Sequence, residues 1–192
     1  MKGTLAVTGD PDADELLNTD PYALLLGMLL DQQVPMEWAF GAPHLLRERL
    51  DGRLDAATVA STDPDELLAA FKGPPALHRY PGSMAKRAQD MSAHIVEQYG
   101  GDTEAIWRDV DSGEEVLRRL LDLPGYGKDK ARIFLALLAK RMGVRPTGWQ
   151  ETAGPFGDDT PRSVADIDSP EKLTQVRAFK KEQKAKGKTK AD

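Results

Sequence analysis

The segment from Pro21 to Leu30 is apolar on every side: Tyr-Ala-Leu-Leu-Leu-Gly-Met-Leu-Leu follows Pro21 without a charged or amide side chain. A helix of this kind has no face to give to water and must be surrounded by protein. It is also far shorter than the ~20 residues that span a bilayer, so it reads as a buried helix. Lys128 to Met142 makes the same demand, because Ala131, Ile133, Phe134, Leu135, Leu137 and Leu138 occupy nearly every side. Two enclosed helices require a shell of others. A strand is conceivable at Leu5 to Thr8, but no partner segment is evident, so the expected class is all-α. With 192 residues, the chain has enough length for one or two compact lobes with a sizeable core.

The shell is legible from caps and breakers. The first twenty residues are acidic and read as turns around Gly9-Asp10-Pro11-Asp12. Asp20-Pro21 opens the first apolar helix, with proline at its first position. Asp31-Gln32-Gln33-Val34-Pro35 interrupts the helical pattern, leaving two glutamines between apolar helices. Met36 to Leu50 resumes it, with Pro43 expected to bend or divide the helix. Short helices are expected over Asp55 to Ala60 and Asp63 to Phe71. An irregular Gly73–Ser83 loop follows, then a helix from a Ser83 cap to about Tyr99, stopped by Gly100-Gly101. Ser112 starts a helix through Leu121, Gly143 to Thr160 reads as loop, and Ser169-Pro170 opens a last, Lys-rich helix that frays. The N-terminal residues are expected to return and pack with that last helix. The expected organisation is a domain over 1–172, with a helix-hairpin-helix at about 114–142, and a Lys-rich helix or tail over 173–192.

Composition removes whole classes of chemistry. There is no cysteine, hence no disulfide, thiolate zinc site, iron-sulfur cluster or cysteine nucleophile. The histidines, His44, His78 and His94, have no metal-ligand spacing. No opening segment combines a basic start, an apolar stretch and a small-residue cleavage site, so the expectation is a cytoplasmic protein with no membrane partner. The net charge of −5 conceals an uneven distribution: from Lys172 onward there are eight Lys or Arg against two acids, leaving eighteen basic and twenty-nine acidic residues elsewhere. Local patches must therefore carry any phosphate contacts.

The turn Leu123-Pro124-Gly125-Tyr126-Gly127, between two apolar helices, has a physical use. Glycines permit tight or left-handed backbone and remove side chains, so main-chain N–H groups at the following helix N-terminus can approach a phosphate. Lys128 and Lys130 add positive charge there. Such contacts position a protein on the nucleic-acid backbone without reading sequence. A plain αα-hairpin turn is the alternative.

Leu123-Pro124-Gly125-Tyr126-Gly127-Lys128-Asp129-Lys130-Ala131 resembles the helix-hairpin-helix of the HhH-GPD, or endonuclease III-like, superfamily of base-excision DNA glycosylases. Asp20 to Gln33 resembles the helix of that superfamily that ends in a glutamine pair. Met84-Ala85-Lys86-Arg87-Ala88, followed by Tyr99-Gly100-Gly101-Asp102, resembles the helix and Gly-turn between these blocks. The likeness covers about Asp20 to Thr152, and the chain looks like a cysteine-free bacterial branch.

The resemblance implies a two-lobed helical fold that rotates a damaged nucleotide out of double-stranded DNA into a pocket between the lobes. Gln33 would fill the vacated gap beside Gln32, and Gly125, Tyr126, Gly127, Lys128 and Lys130 would hold the phosphates. A carboxylate would stabilise the positive sugar or activate water. The family's aspartate falls nearest Pro146-Thr147-Gly148-Trp149-Gln150-Glu151-Thr152, which points to Glu151, with Asp158 and Asp159 as rivals. Trp149 and Phe156 are candidates to stack on an extruded base. Tyr80, beside His78 and Arg79, is a candidate to line the pocket.

Several departures narrow the reading. Asp129 stands where strand-cleaving relatives carry a nucleophilic lysine, so a monofunctional glycosylase without AP-lyase activity is expected. Met28 replaces the acid of adenine-specific relatives. No organic cofactor is implied, although such hairpins can hold a structural monovalent cation on backbone carbonyls. The expected assembly is a monomer at the bacterial nucleoid. Two rivals stay open: a noncatalytic DNA-structure-binding protein on the same scaffold, and a helical protein-interaction domain that uses the hairpin only as a turn.

Overall fold

The structure is a computed structural model that describes residues 2–189 and 191. Its helices are α1 (Pro11–Thr19), α2 (Pro21–Leu30), α3 (Met36–Arg49), α4 (Ala56–Ser61), α5 (Pro64–Lys72), α6 (Pro81–Tyr99), α7 (Gly113–Leu121), α8 (Lys128–Arg141), α9 (Trp149–Ala153) and α10 (Pro170–Ala185). Short 3-10 turns lie at Thr103–Ile106, Gly154–Phe156 and Val164–Asp166. No strand occurs among the described residues, so the chain is all-α. None of these helices is long and apolar enough to cross a membrane.

The starts follow one chemistry. Asp10, Asp20, Asp55, Asp63, Ser112 and Ser169 each accept a backbone N–H in the first turn of the helix they cap, satisfying donors that have no partner inside the helix. Proline follows the cap in α1, α2, α5 and α10, where its missing N–H costs nothing.

Every residue of α2 from Tyr22 to Leu30 is buried. This helix lies against α1, α3, α6 and α8. On one side α4 and α5 pack on α6; on the other α7, α9 and the Val164–Asp166 turn pack on α8, whose Ala131 and Ile133 to Ala139 are likewise enclosed. Two groups of helices thus meet across α2 and share one continuous apolar core.

Several local expectations differ from the structure. Pro11–Thr19 is a helix rather than a run of turns: Asp10 caps it by accepting from Asp12 and Ala13. Leu5 to Thr8 is extended without a partner strand, because α1 side chains take its backbone. Asn18 accepts from the Leu5 N–H and donates to the Leu5 carbonyl, at 2.8 and 2.9 Å, and Asp14 accepts from the Val7 and Thr8 N–H groups. Thr4 donates to Arg141 at the end of α8, so this segment bonds to α1 and α8 rather than to the last helix. Helix α6 starts at Pro81, with no side-chain cap and with Ser83 already inside it. Within the expected Gly143–Thr160 loop, α9 forms and packs on α7 and α8. Helix α3 runs unbroken through Pro43.

Candidate nucleic-acid interface

The hairpin joins α7 to α8 through Leu123–Gly127. Gly125 adopts φ +89°, and a Cβ there would stand 2.5 Å from Leu29 Cδ1, so both conformation and packing against α2 require glycine. Gly127 is different: its φ is −89°, and a Cβ would meet nothing within 4 Å. Nothing inside the protein demands glycine there. The missing side chain leaves the N-terminus of α8, which no side chain caps, open to solvent beside exposed Lys128. Such an N-terminus presents N–H donors and the positive end of the helix dipole to an anion.

The other two hairpin side chains turn inward. Tyr126 is buried and donates its hydroxyl proton to the Leu25 carbonyl at 2.7 Å. The Lys130 ammonium reaches the carbonyls of Met28, Leu29 (2.9 Å) and Asp31 (3.3 Å). The last carbonyls of a helix lack intrahelical donors and carry the negative end of its dipole, so Lys130 works as a C-terminal cap for α2. The expected phosphate contact from this side chain is replaced by an internal one.

That cap fixes the glutamine turn. Gln32 donates its N–H to the Leu30 carbonyl at 2.7 Å, and Gln33 follows at φ +58°, a left-handed conformation that costs a residue with a Cβ roughly 1–2 kcal/mol. The turn is held from the opposite side too. His78, fully buried, faces the Gln32 carbonyl through Nε2 at 2.9 Å and accepts the Tyr80 N–H on Nδ1 at 3.0 Å. Arg87 donates to the Gln32 side-chain oxygen at 3.0 Å. With Gln32 occupied on both its carbonyls, Gln33 is the exposed member of the pair.

Around this turn sit two aromatic side chains that are unusually open for their size, Trp38 at 38% and Tyr80 at 43% exposure. Trp38 donates to the Ala76 carbonyl at 3.0 Å. Its ring lies 6.4 Å from that of His78, which lies 6.0 Å from Tyr80, and the Arg79 guanidinium covers Tyr80 at 5.4 Å. The sequence reading of the 73–83 loop marked His78, Arg79 and Tyr80 together. It missed that His78 is an internal pin, it missed Trp38, which no motif singles out, and it gave Arg87, inside the Met84–Ala88 block, no role of its own.

The acidic candidates separate by their commitments. Asp158 pairs with buried Arg162 at 2.8 Å, while its carbonyl accepts from Lys140. Lys140 in turn meets buried Asp166 at 2.7 Å, which also accepts the N–H groups of Arg162 and Ser163. Asp158 therefore belongs to a network that ties the segment after α9 to α8. Asp159 is exposed and lines a cavity of about 470 Å³ with Trp149, Gln150, Lys140 and Asp166. Phe156 is buried in the core.

Glu151 is exposed in the first turn of α9. The Arg132 guanidinium, near the start of α8, lies within 4 Å of where a Cβ on Gly154 would sit. The segment carrying Glu151 therefore runs back along α8 toward the hairpin end. Gln32, Gln33 and Tyr80 are brought together with the α8 N-terminal region through Lys130, whereas Trp149 and Asp159 gather at the cavity beside the last turn of α8.

No family model matches the chain, and no curated protein matches it. Among solved structures, it is similar to the H. pylori 3-methyladenine DNA glycosylase MagIII in its crystal structure bound to 1,N6-ethenoadenine. The two share 16% identity, over 90% of this chain and 93% of that one, with a TM-score of 0.48.

Proposed function

We propose that the protein is a base-excision DNA glycosylase that hydrolyses the N-glycosidic bond of a flipped, damaged base in double-stranded DNA. The observation that carries this reading is the Gln33 turn. Gln33 is exposed and left-handed in a turn whose neighbouring residues are held, by Lys130 at the Leu29 and Asp31 carbonyls and by His78 and Arg87 at Gln32; a residue kept in so costly a conformation is strain of the kind found at functional sites. It stands next to open aromatic rings and a helix N-terminus kept clear of side chains. Gln33 fills the gap left by the extruded base, an open aromatic such as Tyr80 offers a stacking face, and the α8 N-terminus with Lys128 holds phosphate.

In the reaction the base departs with the glycosidic electron pair and takes up a proton, while the oxygen of water bonds to the sugar carbon. Glu151 is the carboxylate we assign to this step, stabilising the positive sugar or accepting the proton of the attacking water. Asp159 is the alternative, and the engagement of Asp158 with Arg162 argues against that residue. Strand cleavage by a lysine is disfavoured: Asp129 stands at the expected position, and the Lys130 ammonium is bound to carbonyls. At the hairpin, the Leu123 carbonyl accepts the Tyr126 N–H, which leaves it a second lone pair for a structural monovalent cation.

The test is base release from duplexes carrying uracil, alkylated, deaminated or oxidised bases, followed by alkali to reveal abasic sites. The native protein is expected to release at least one base, and Glu151→Gln to lose that release. Retention of release by Glu151→Gln moves the chemistry to Asp159. The second reading, a noncatalytic DNA-structure binder on the same scaffold, is favoured by the open position of Glu151. It is the conclusion if no duplex releases a base while salt-sensitive binding persists.

A further inference from the structure

We propose that α10 is a second phosphate-contacting element, fitted to the backbone of the same duplex that the Gln33 turn and the hairpin engage. The proposal rests on the DNA-binding part of the preceding reading, but its evidence is separate. Leu173 and Val176 pack one face of α10 onto the core, and the Arg162 guanidinium covers Phe179 at 5.4 Å. One flank of the helix, beside that face, is cationic. Arg177, Lys181 and Lys184 are spaced by four and three residues, which puts them on one stripe of the helix, and all are exposed.

The acids within reach of that stripe are already spent. Glu182 pairs with Lys186, whose ammonium holds its carboxyl below the usual range, and Glu37 pairs with Arg177. Neither Lys181 nor Lys184 has an acidic partner among the described residues. The stripe is therefore a net positive ridge on a chain whose remainder carries twenty-nine acids against eighteen bases, and such a body needs local cations to approach a polyanion.

Position decides the partner. The Arg177–Glu37 pair and the Lys180 ammonium, 3.1 Å from the Met36 sulfur, anchor α10 to the first turn of α3. Glu37 is four residues beyond Gln33. A ridge of cations at helical spacing, tied to the first turn of the helix that follows the Gln33 turn, suits a row of phosphates on one strand. An isolated anion would need only one of these cations.

The experiment is the salt dependence of binding to an undamaged duplex, read by fluorescence anisotropy between about 50 and 200 mM salt. The double variant Lys181→Gln/Lys184→Gln is compared with native protein and with Arg53→Gln, an exposed cation in the turn after α3. Each phosphate contact contributes roughly 0.9 to the slope of log K against log salt, so the double variant is expected to lower it by about two, with Arg53→Gln unchanged. The substituted lysines are exposed, so thermal unfolding should stay close to native and separate loss of contact from loss of fold. An unchanged slope in the double variant overturns the proposal and leaves the glycosylase reading standing. An equal fall in Arg53→Gln overturns it as well, since the effect would then be general charge. Failure of the native protein to bind duplex overturns both readings.

Discussion

The Nε2 atom of His78 lies 2.9 Å from the Gln32 carbonyl oxygen, while Nδ1 accepts the Tyr80 N–H. That pairing requires the neutral ring with its proton on Nε2, because a protonated ring has two donors and would face the Tyr80 N–H with a third. Burial accordingly lowers the pKa of His78, and the nearby charges of Lys130 and Arg87 act in the same direction. A histidine with a depressed folded pKa binds fewer protons than the unfolded chain, so its contribution to stability is complete above the unfolded value of about 6.5 and is lost as pH falls toward the folded one. The melting temperature is expected to drop between pH 7.5 and pH 5.5. In His78→Gln that drop should shrink, from a starting stability about 1–3 kcal/mol lower at pH 7.5 for the lost buried hydrogen bonds. Calorimetry of both proteins across this range checks the sign, and an equal drop in the variant would remove His78 from the account.

Gln33 gives a prediction in which stability and function part company. At φ +58° the left-handed conformation penalises every residue with a Cβ, and glycine escapes the penalty at the cost of greater freedom in the unfolded chain. Gln33→Gly is therefore expected to match or exceed native stability, by up to about 1 kcal/mol in urea denaturation. It removes the amide that fills the vacated base position, so base release should fall at least tenfold. Gln33→Ala keeps the strain and loses the amide, and should be no more stable than native. If Gln33→Gly releases bases at the native rate, the Gln33 side chain has no part in flipping.

What could be read from the sequence follows how local its cause is. The α2 helix was legible because its burial is written in ten consecutive residues and bounded by Asp20-Pro21 and Asp31. The same Asp-Pro signal precedes α1, yet with Gly9 before it and acids after it the segment resembled a turn. Helix α9 was hidden because its five residues carry no apolar stripe, and its existence depends on packing against α7 and α8. The glutamine turn was locatable, but its support was not. Lys130 lies about a hundred residues from the carbonyls it caps, and His78 forty-six from Gln32. A lysine beside a phosphate-binding hairpin invites an external reading, and only the docking of α8 on the end of α2 turns it inward.

The two hairpin glycines should separate fold from binding. Ala at Gly125 would need φ near +89° and would drive a methyl to 2.5 Å from Leu29, in a helix where every neighbour is also buried. A cost of about 2–4 kcal/mol is expected from strain and overpacking together. Gly127 has an extended backbone and open space, so Gly127→Ala should leave stability within about 1 kcal/mol of native, since the methyl points to solvent. Its effect belongs to the ligand. A methyl at the uncapped N-terminus of α8 stands where a phosphate must approach the N–H groups, and duplex affinity should fall several-fold at fixed salt. Urea denaturation and anisotropy on the two variants provide the check. A Gly127→Ala protein that binds duplex as tightly as native would take the phosphate away from this N-terminus and leave the hairpin as a turn between two buried helices.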